Sequence, residues 1–412
     1  MKLYNLLPSE QTVAGSQLPS MESITFYNGT PPLSYLKSRV QEMIFLNPFL
    51  AGRFHINTPK SKNEKVQFAV PCSEAGSLYA LDLDHHFKVV DCVDIDATRD
   101  FIKVCKTLAA IPHLAVPNAA ACLATNSPVF RVAVLIHPSK TKFALYLTLC
   151  HGIGDGHCFY TLYKMLSATT TPHPMIFDRV QSYEKSVWEL LPDIAIDLKK
   201  EENMGLPVFG SMLGLVGCVV SELVRVSVNS LVYGKSVWGV VDGPTAEWIQ
   251  VQKKVAKQES NCKTFVSTND CVSSWFLTET KCDYGSIAVN ARVRVPEVSV
   301  NHFGNYLTCL YYKRADFASP LLIRGSLVGP VLKRRATTDC FGGDGKFVKR
   351  IGFVTNWAGF YEDVVLEECE LLRHQPVLDV MQVSPYATCI VYAERKGSIK
   401  AISNFPELLR QI

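Results

Sequence analysis

The chain has 412 residues, 48% of them hydrophobic and 19% charged, with a formal net charge of +4. That is apolar material for a large core and, by length, for two or three domains of an ordinary globular protein. The small net charge argues against a nucleic-acid surface, and the densest basic cluster, Lys333-Arg334-Arg335, reads as a solvated face.

The N-terminus, Met1-Lys2-Leu3-Tyr4, soon turns polar without the apolar core of a signal peptide, so a cytoplasmic setting is expected. Asn28-Gly29-Thr30 then reads as a turn rather than a glycosylation site. Leu33, Leu36, Val40, Met43 and Ile44 recur at helical spacing after Pro31-Pro32, and the helix should stop at Asn47-Pro48. Val129 to Ile136 and Phe143 to Leu149 predict two strands joined by His137-Pro138-Ser139-Lys140, as a hairpin or as neighbours. The second delivers the chain to His151-Gly152-Ile153-Gly154-Asp155-Gly156. Beyond it Phe159, Leu162, Tyr163 and Leu166 return to helical spacing, which places His151 in a glycine-rich loop between a strand and a helix.

From Lys199 to Gly243 the pattern is least regular, and Gly205 to Ser221 carries no charge. This run is shorter than the roughly 20 residues that span a bilayer, so a crossover or buried helix is the first reading and a membrane-surface contact the second. Thr268-Asn269-Asp270 offers caps for a helix over Val272 to Leu277. Strands are expected at Ile287 to Ala291, Tyr306 to Tyr312, Ile351 to Thr355, Val377 to Met381, Thr388 to Ala393 and Ser398 to Ile402. Two α/β units, each with its own sheet, fit this distribution better than one continuous sheet.

Fourteen cysteines are scattered singly through apolar runs such as Leu149-Cys150 and Thr388-Cys389-Ile390, which suits reduced, buried thiols. Neither Cys72, Cys92, Cys105 nor the others form a C-x-x-C pair, and no metal is expected.

Among the side chains, an imidazole is the one best matched to removing a proton near neutral pH. Glycines 152, 154 and 156 allow a tight path that lets His151 project into a cleft, while Asp155 turns away and braces the loop. Cys150 invites a thiol-nucleophile reading, but neighbouring residues at a strand end point to opposite sides, which makes it a core residue.

The H-x-x-x-D-G pattern of His151, Asp155 and Gly156 resembles the signature of the chloramphenicol acetyltransferase-like superfamily, and within it the BAHD acyltransferases. Further segments are similar in the same order: Asn47-Pro48-Phe49-Leu50-Ala51-Gly52-Arg53-Phe54, then Ser267-Thr268-Asn269-Asp270-Cys271-Val272. After these come Asn290-Ala291-Arg292-Val293-Arg294 with Pro296 and Phe303-Gly304-Asn305, and finally Thr355-Asn356-Trp357. The D-F-G-W-G motif of the BAHD enzymes is missing after Trp357, with Asp363 its remnant, which leaves the subfamily open. Cys150 stands where condensation domains of the superfamily carry a second histidine, which makes a peptide-bond-forming module the weaker relation.

The resemblance implies two such subdomains, each a mixed sheet flanked by helices, with a solvent channel between them. Residues 1–180 would form the first, 181–240 a crossover and 241–412 the second. It implies an acyl-CoA-dependent O- or N-acyltransferase, monomeric and metal-free, acting on an alcohol or amine of a small secondary-metabolite-like acceptor. His151 would be the catalytic base and Asp155 its partner in the motif, paired with Arg292, or with Arg294 as fallback. Thr355 and Trp357 would line the acceptor side, with Tyr27 to Leu36 helping to set specificity, and Ser267 and Thr268 would lie near the CoA arm. A lipid-directed acyltransferase at a membrane surface and a non-catalytic binding protein are the alternatives.

Overall fold

The computed structural model describes residues 1–14, 18–56, 66–71, 82–91, 93–191, 238–241, 243–261, 263–337, 350–382, 384 and 386–408. Most of the irregular segment from Lys199 to Gly243, including Gly205 to Ser221, lies outside them, as do Cys72 and Cys92. The first half runs β1 (Lys2–Asn5), α1 (Pro8–Ala14), β2 (Met21–Asn28), α2 (Leu33–Leu46), β3 (Arg53–Ile56), β4 (Val66–Val70) and β5 (Phe87–Val90). It continues with α3 (Phe101–Ala109), α4 (Ala119–Thr125), β6 (Phe130–Ile136), β7 (Lys142–Leu149), α5 (Gly156–Met165) and α6 (Tyr183–Leu190). The second half runs β8 (Gly239–Val240), α7 (Ala246–Glu259), α8 (Thr268–Glu279), β9 (Tyr284–Asn290), β10 (Leu307–Lys313) and α9 (Pro320–Leu327). Last come β11 (Ile351–Asn356), β12 (Glu370–Pro376), β13 (Ala387–Arg395) and β14 (Ser398–Ser403).

Two mixed sheets carry the fold. One has the order β12-β2-β7-β6-β5, with β5 and β6 parallel, and the other the order β10-β9-β11-β13-β14-β8, with β11 parallel to both its neighbours. A small third sheet has the order β1-β4-β3. β6 and β7 pair antiparallel from Phe130↔Leu149 to Ile136↔Phe143. Both faces of these strands are covered. Val132, Val134, Leu145 and Leu147 pack toward α2 and α5, while Ala133, Leu135, Ala144 and Tyr146 join Phe101, Val104 and Leu108 of α3. Burial on two sides is why both sequences are apolar nearly without alternation.

The predicted helix after Pro31-Pro32 is α2, whose stripe of Leu36, Val40, Met43 and Ile44 is fully buried. Each such side chain contributes about 1.5–3 kcal/mol relative to exposure. The cluster on the α3 side of the first sheet also takes in Ile390 and Tyr392 of β13 and Ile402 of β14, so one apolar cluster joins the two halves.

The structure departs from the sequence reading in two places. The strand expected at Val377 to Met381 lies just before it, as β12, which pairs antiparallel with β2 and so returns the C-terminal half of the chain to the first sheet. Val377 and Val380 are buried in the α3 cluster without belonging to a strand, and their burial produced the misleading pattern. Arg334 is only 3% exposed, so Lys333-Arg334-Arg335 is not a uniformly solvated face. Burial in that segment does not follow charge.

Candidate active site

Cys150 N donates to Val129 O at 2.8 Å, so the sheet's hydrogen bonding carries the chain to the residue before His151. Residues 151–153 turn, and α5 begins at Gly156 with Asp155 as N-cap. Gly152 and Gly154 answer to crowding rather than to left-handed backbone angles. A Cβ on Gly152 would stand 2.7 Å from Ala119 Cβ and 2.8 Å from Phe54 Cζ, and one on Gly154 would stand 3.0 Å from the Phe303 ring. The loop is thus wedged between α4, β3 and a segment from the second half.

Both carboxylate oxygens of Asp155 are committed. Oδ1 accepts from Cys158 N at 3.1 Å, capping α5, and Oδ2 accepts from Arg292 Nη1 at 2.7 Å. The ion pair is buried, its side chains 4% and 0% exposed. Burial by itself would raise the Asp155 pKa, but the charge and hydrogen bond of Arg292, with the Cys158 N–H, hold the carboxyl below its usual range. Arg292 also donates from Nε to His302 O at 2.9 Å and from Nη2 to Gly304 O at 2.8 Å. Arg294 is elsewhere, donating to Leu327 O at 2.9 Å.

His151 is partly exposed, with Nδ1 buried and lacking a well-aligned hydrogen bond among the described residues. Burial pushes its pKa below the ordinary imidazole value, opposed by its own carbonyl, the Asp155 charge, the Asn305 side chain and the Glu10 charge. Near neutral pH this direction favours the unprotonated, proton-accepting ring. Its backbone is gripped from behind: His151 O accepts from Asn305 Nδ2 at 2.8 Å and Ile153 O from Arg179 Nη2 at 3.0 Å. Arg179 in turn pairs with Glu10 at 2.7 Å, both side chains fully buried.

Sequence reasoning assigned no role to Glu10, Arg179 or Asn305. Glu10 lies in a seven-residue helix and Arg179 in an irregular stretch, so neither shows a periodicity or spacing that could mark it. Asn305 was visible only as part of Phe303-Gly304-Asn305.

Trp357 follows β11 and stands over the start of α5, its ring atoms 3.6–3.7 Å from where a Gly156 Cβ would be. Its centroid lies 6.2 Å from Phe159 and 6.1 Å from Tyr160. Thr355 is partly exposed in β11, opposite Ile390 of β13. Ser267 caps α8 in a reciprocal arrangement with Asp270, and Thr268 Oγ1 accepts from Lys253 Nζ at 3.0 Å. No hydrogen bond links Ser267 or Thr268 to the His151 loop among the described residues. Cys150 is fully buried, and Asp363 accepts from Lys396 N at 3.1 Å. A cavity of about 320 Å³, lined by Leu33, Ser34, Lys37, Asp84, Phe87 and Val89, touches none of these residues.

Two mixed sheets flanked by helices, with residues of the second half gripping a loop of the first, make up a fold that the chain shares with solved structures. The chain is similar in structure to TRI101 of F. sporotrichioides, crystallised with coenzyme A and T-2, at TM-score 0.59 and 13% identity over 98% of this chain and 94% of that one. TRI101 of F. graminearum, with coenzyme A and deoxynivalenol, gives the same values. Polyketide synthase associated protein 5 from Mycobacterium tuberculosis matches at TM-score 0.52 and 12% identity over 98% and 92%. No family model matches the chain, and no curated protein matches its sequence.

Proposed function

We propose that the protein is an acyl-CoA-dependent acyltransferase that moves an acyl group from the thioester to an alcohol or amine of a small-molecule acceptor, with His151 as general base. The observation that carries this reading is the division of labour in the loop. Asp155 is wholly engaged by Arg292 and the α5 backbone, while the partly exposed imidazole of His151, its pKa lowered by burial, stands next to it without a carboxylate partner. The structural neighbours crystallised with coenzyme A support the choice of donor.

In this mechanism His151 Nε2 removes the proton from the acceptor O–H or N–H as its oxygen or nitrogen attacks the thioester carbonyl. The tetrahedral oxyanion collapses, the C–S bond breaks, and the imidazolium returns the proton to the CoA thiolate. No covalent acyl-enzyme forms. Asp155 and Arg292 hold the loop; Thr355 and Trp357 meet the acceptor. Ser267 and Thr268 mark the CoA side of the channel, where Lys253 supplies a cation for a phosphate near the α8 N-terminus. Residues 1–180 and 241–412 form the two subdomains, with β12 lent back to the first sheet.

Incubation with acetyl-CoA and longer acyl-CoAs against a panel of alcohols and amines, followed by release of free CoA thiol, tests this reading. Acceptor-dependent release is expected, and tight binding of CoA with no release under any pairing would favour a binding protein. The described residues contain no helix long and apolar enough to cross a membrane. Flotation with liposomes separates a lipid-directed enzyme from one acting on dissolved acceptors.

A further inference from the structure

Between the first sheet and α5, the fully buried His374 of β12 lies at the centre of a cluster that the transfer chemistry does not use. Its Nδ1 is 2.8 Å from Thr25 Oγ1 of β2 and its Nε2 3.1 Å from Tyr160 OH of α5, and Thr25 Oγ1 is 2.8 Å from Tyr163 OH. A neutral imidazole has one donor and one acceptor nitrogen, so both edges of the ring are satisfied by hydroxyls that can play either part. Burial pushes its pKa down to about 3, which keeps the ring neutral near pH 7. Aromatic rings pack around it as well: the Tyr361 centroid is 4.6 Å away at a tilt of 36°, and the Tyr163 centroid 4.9 Å away at 52°. A polar ring bonded at both edges and packed by its neighbours holds one orientation.

That orientation is passed to Trp357 through Tyr160. Tyr160 lies one helical turn beyond Gly156, its hydroxyl held by His374 and its ring next to both ends of the turn that follows β11. Trp357 is 6.1 Å from it at 66° and Tyr361 6.2 Å at 80°, and within that turn Phe360 N donates to Trp357 O at 3.0 Å. The Trp357 backbone is tied to β13, its N–H donating to Val391 O at 2.7 Å. Its indole ring is placed by what it packs on, Gly156, Phe159 and Tyr160. Of Trp357, Phe159, Tyr160, Tyr361 and His374, Trp357 alone is partly exposed and the other four are buried. The cluster therefore reaches the accessible side of the fold at that one ring.

We propose that His374 is a positioning residue for acceptor binding: by fixing Tyr160 it sets where the Trp357 ring lies over the first turn of α5. The acceptor consequence rests on Trp357 meeting the acceptor in the proposed transfer; the placement of the ring does not. His374 is buried away from solvent, so its loss is felt in the affinity for the acceptor and not in thioester binding.

The test pairs ¹H–¹⁵N spectra of the indole groups with steady-state kinetics on the full chain. The Trp357 signal, one of five, is identified by its loss in Trp357→Phe. Tyr160→Phe deletes only the hydroxyl that His374 Nε2 meets, and His374→Phe deletes both hydrogen bonds while keeping a ring in place. Tyr361→Phe is the control, since it removes a buried hydroxyl that has no well-aligned partner among the described residues. Tyr160→Phe and His374→Phe should each move the Trp357 signal and raise the acceptor KM by about two- to tenfold, the net worth of one hydrogen bond, with the acyl-CoA KM unchanged. Tyr361→Phe should match wild type in both readouts. A merely structural role would lower kcat through loss of folded protein and leave the signal and both KM values in place. That result, or an unmoved Trp357 signal in a folded Tyr160→Phe protein, would overturn the proposal; if His374→Phe does not fold, Tyr160→Phe decides alone. A moved signal with an unchanged acceptor KM overturns the acceptor consequence. A wild type without acyl transfer overturns the proposed function, and the indole signal still decides the placement of Trp357.

Discussion

His151 is shaped by what its neighbours do not offer it. In a loop that contains a carboxylate four residues on, the imidazole donates no hydrogen bond to it, because Arg292 and the α5 backbone take both oxygens. Burial then lowers the ring's pKa below 6.5. For a base the sign is direct: the active form is unprotonated, so kcat/KM should rise with pH through a midpoint below 6.5 and stay level near neutrality. A pH–rate profile checks this, and a rise centred well above 7 would point to a different base. Cys150 is fully buried, so Cys150→Ala should retain most of the turnover. Abolished transfer in a folded Cys150→Ala protein would revive a thiol mechanism.

At the scale of elements, the strand–loop–helix unit from β7 to α5 is where an ion pair can be separated from a helix cap. Asparagine caps helices about as well as aspartate, so Asp155→Asn keeps the cap on α5 and removes the charge that Arg292 needs. With both side chains buried, the expected loss is about 3–5 kcal/mol, read as a lower denaturant midpoint. A variant as stable as wild type would show that the pair does not brace the loop. Just after Arg292, Val293 sits at φ 59°, a left-handed conformation that a β-branched residue adopts at a cost of about 1–2 kcal/mol. Val293→Asn should therefore raise stability by about 1 kcal/mol, and an unchanged midpoint would count against strain at this position. The elements around the loop were legible because apolar spacing reports burial directly, as in α2, β6 and β7. β12 was not, because its sequence carries Arg373, His374 and Gln375, and the last two are buried although no local pattern announces it. His374 is satisfied by Thr25 and Tyr160, residues hundreds of positions away. The same reason hid Glu10 and Arg179: a pairing between distant segments leaves no trace in either segment, whereas His151, Asp155 and Arg292 could be found from motifs.

For the whole molecule, the two halves share a core and are tied together at the His151 loop. The cluster around α3 draws side chains from both large sheets, and the His151 loop of the first half is held by Arg292 and Asn305 of the second. Two buried histidines tie this packing to pH. Burial lowers His374 to about 3 and His86 to about 4, both below the unfolded value of about 6.5. The unfolded chain thus binds more protons between those limits, so stability is present in full above about pH 6.5 and is lost as pH falls toward 4, by at most about 1.4 kcal/mol per pH unit for each ring. Denaturant midpoints from pH 7 to 5 should fall in wild type and fall less in His374→Gln; identical slopes would show that His374 is not buried neutral. The account as a whole stands most directly on His151→Ala, assayed for CoA release with an acyl-CoA and acceptor that wild type turns over. Turnover is predicted to fall by a factor on the order of 10²–10⁴ with the unfolding curve unchanged, and near-wild-type turnover in the alanine variant would contradict it.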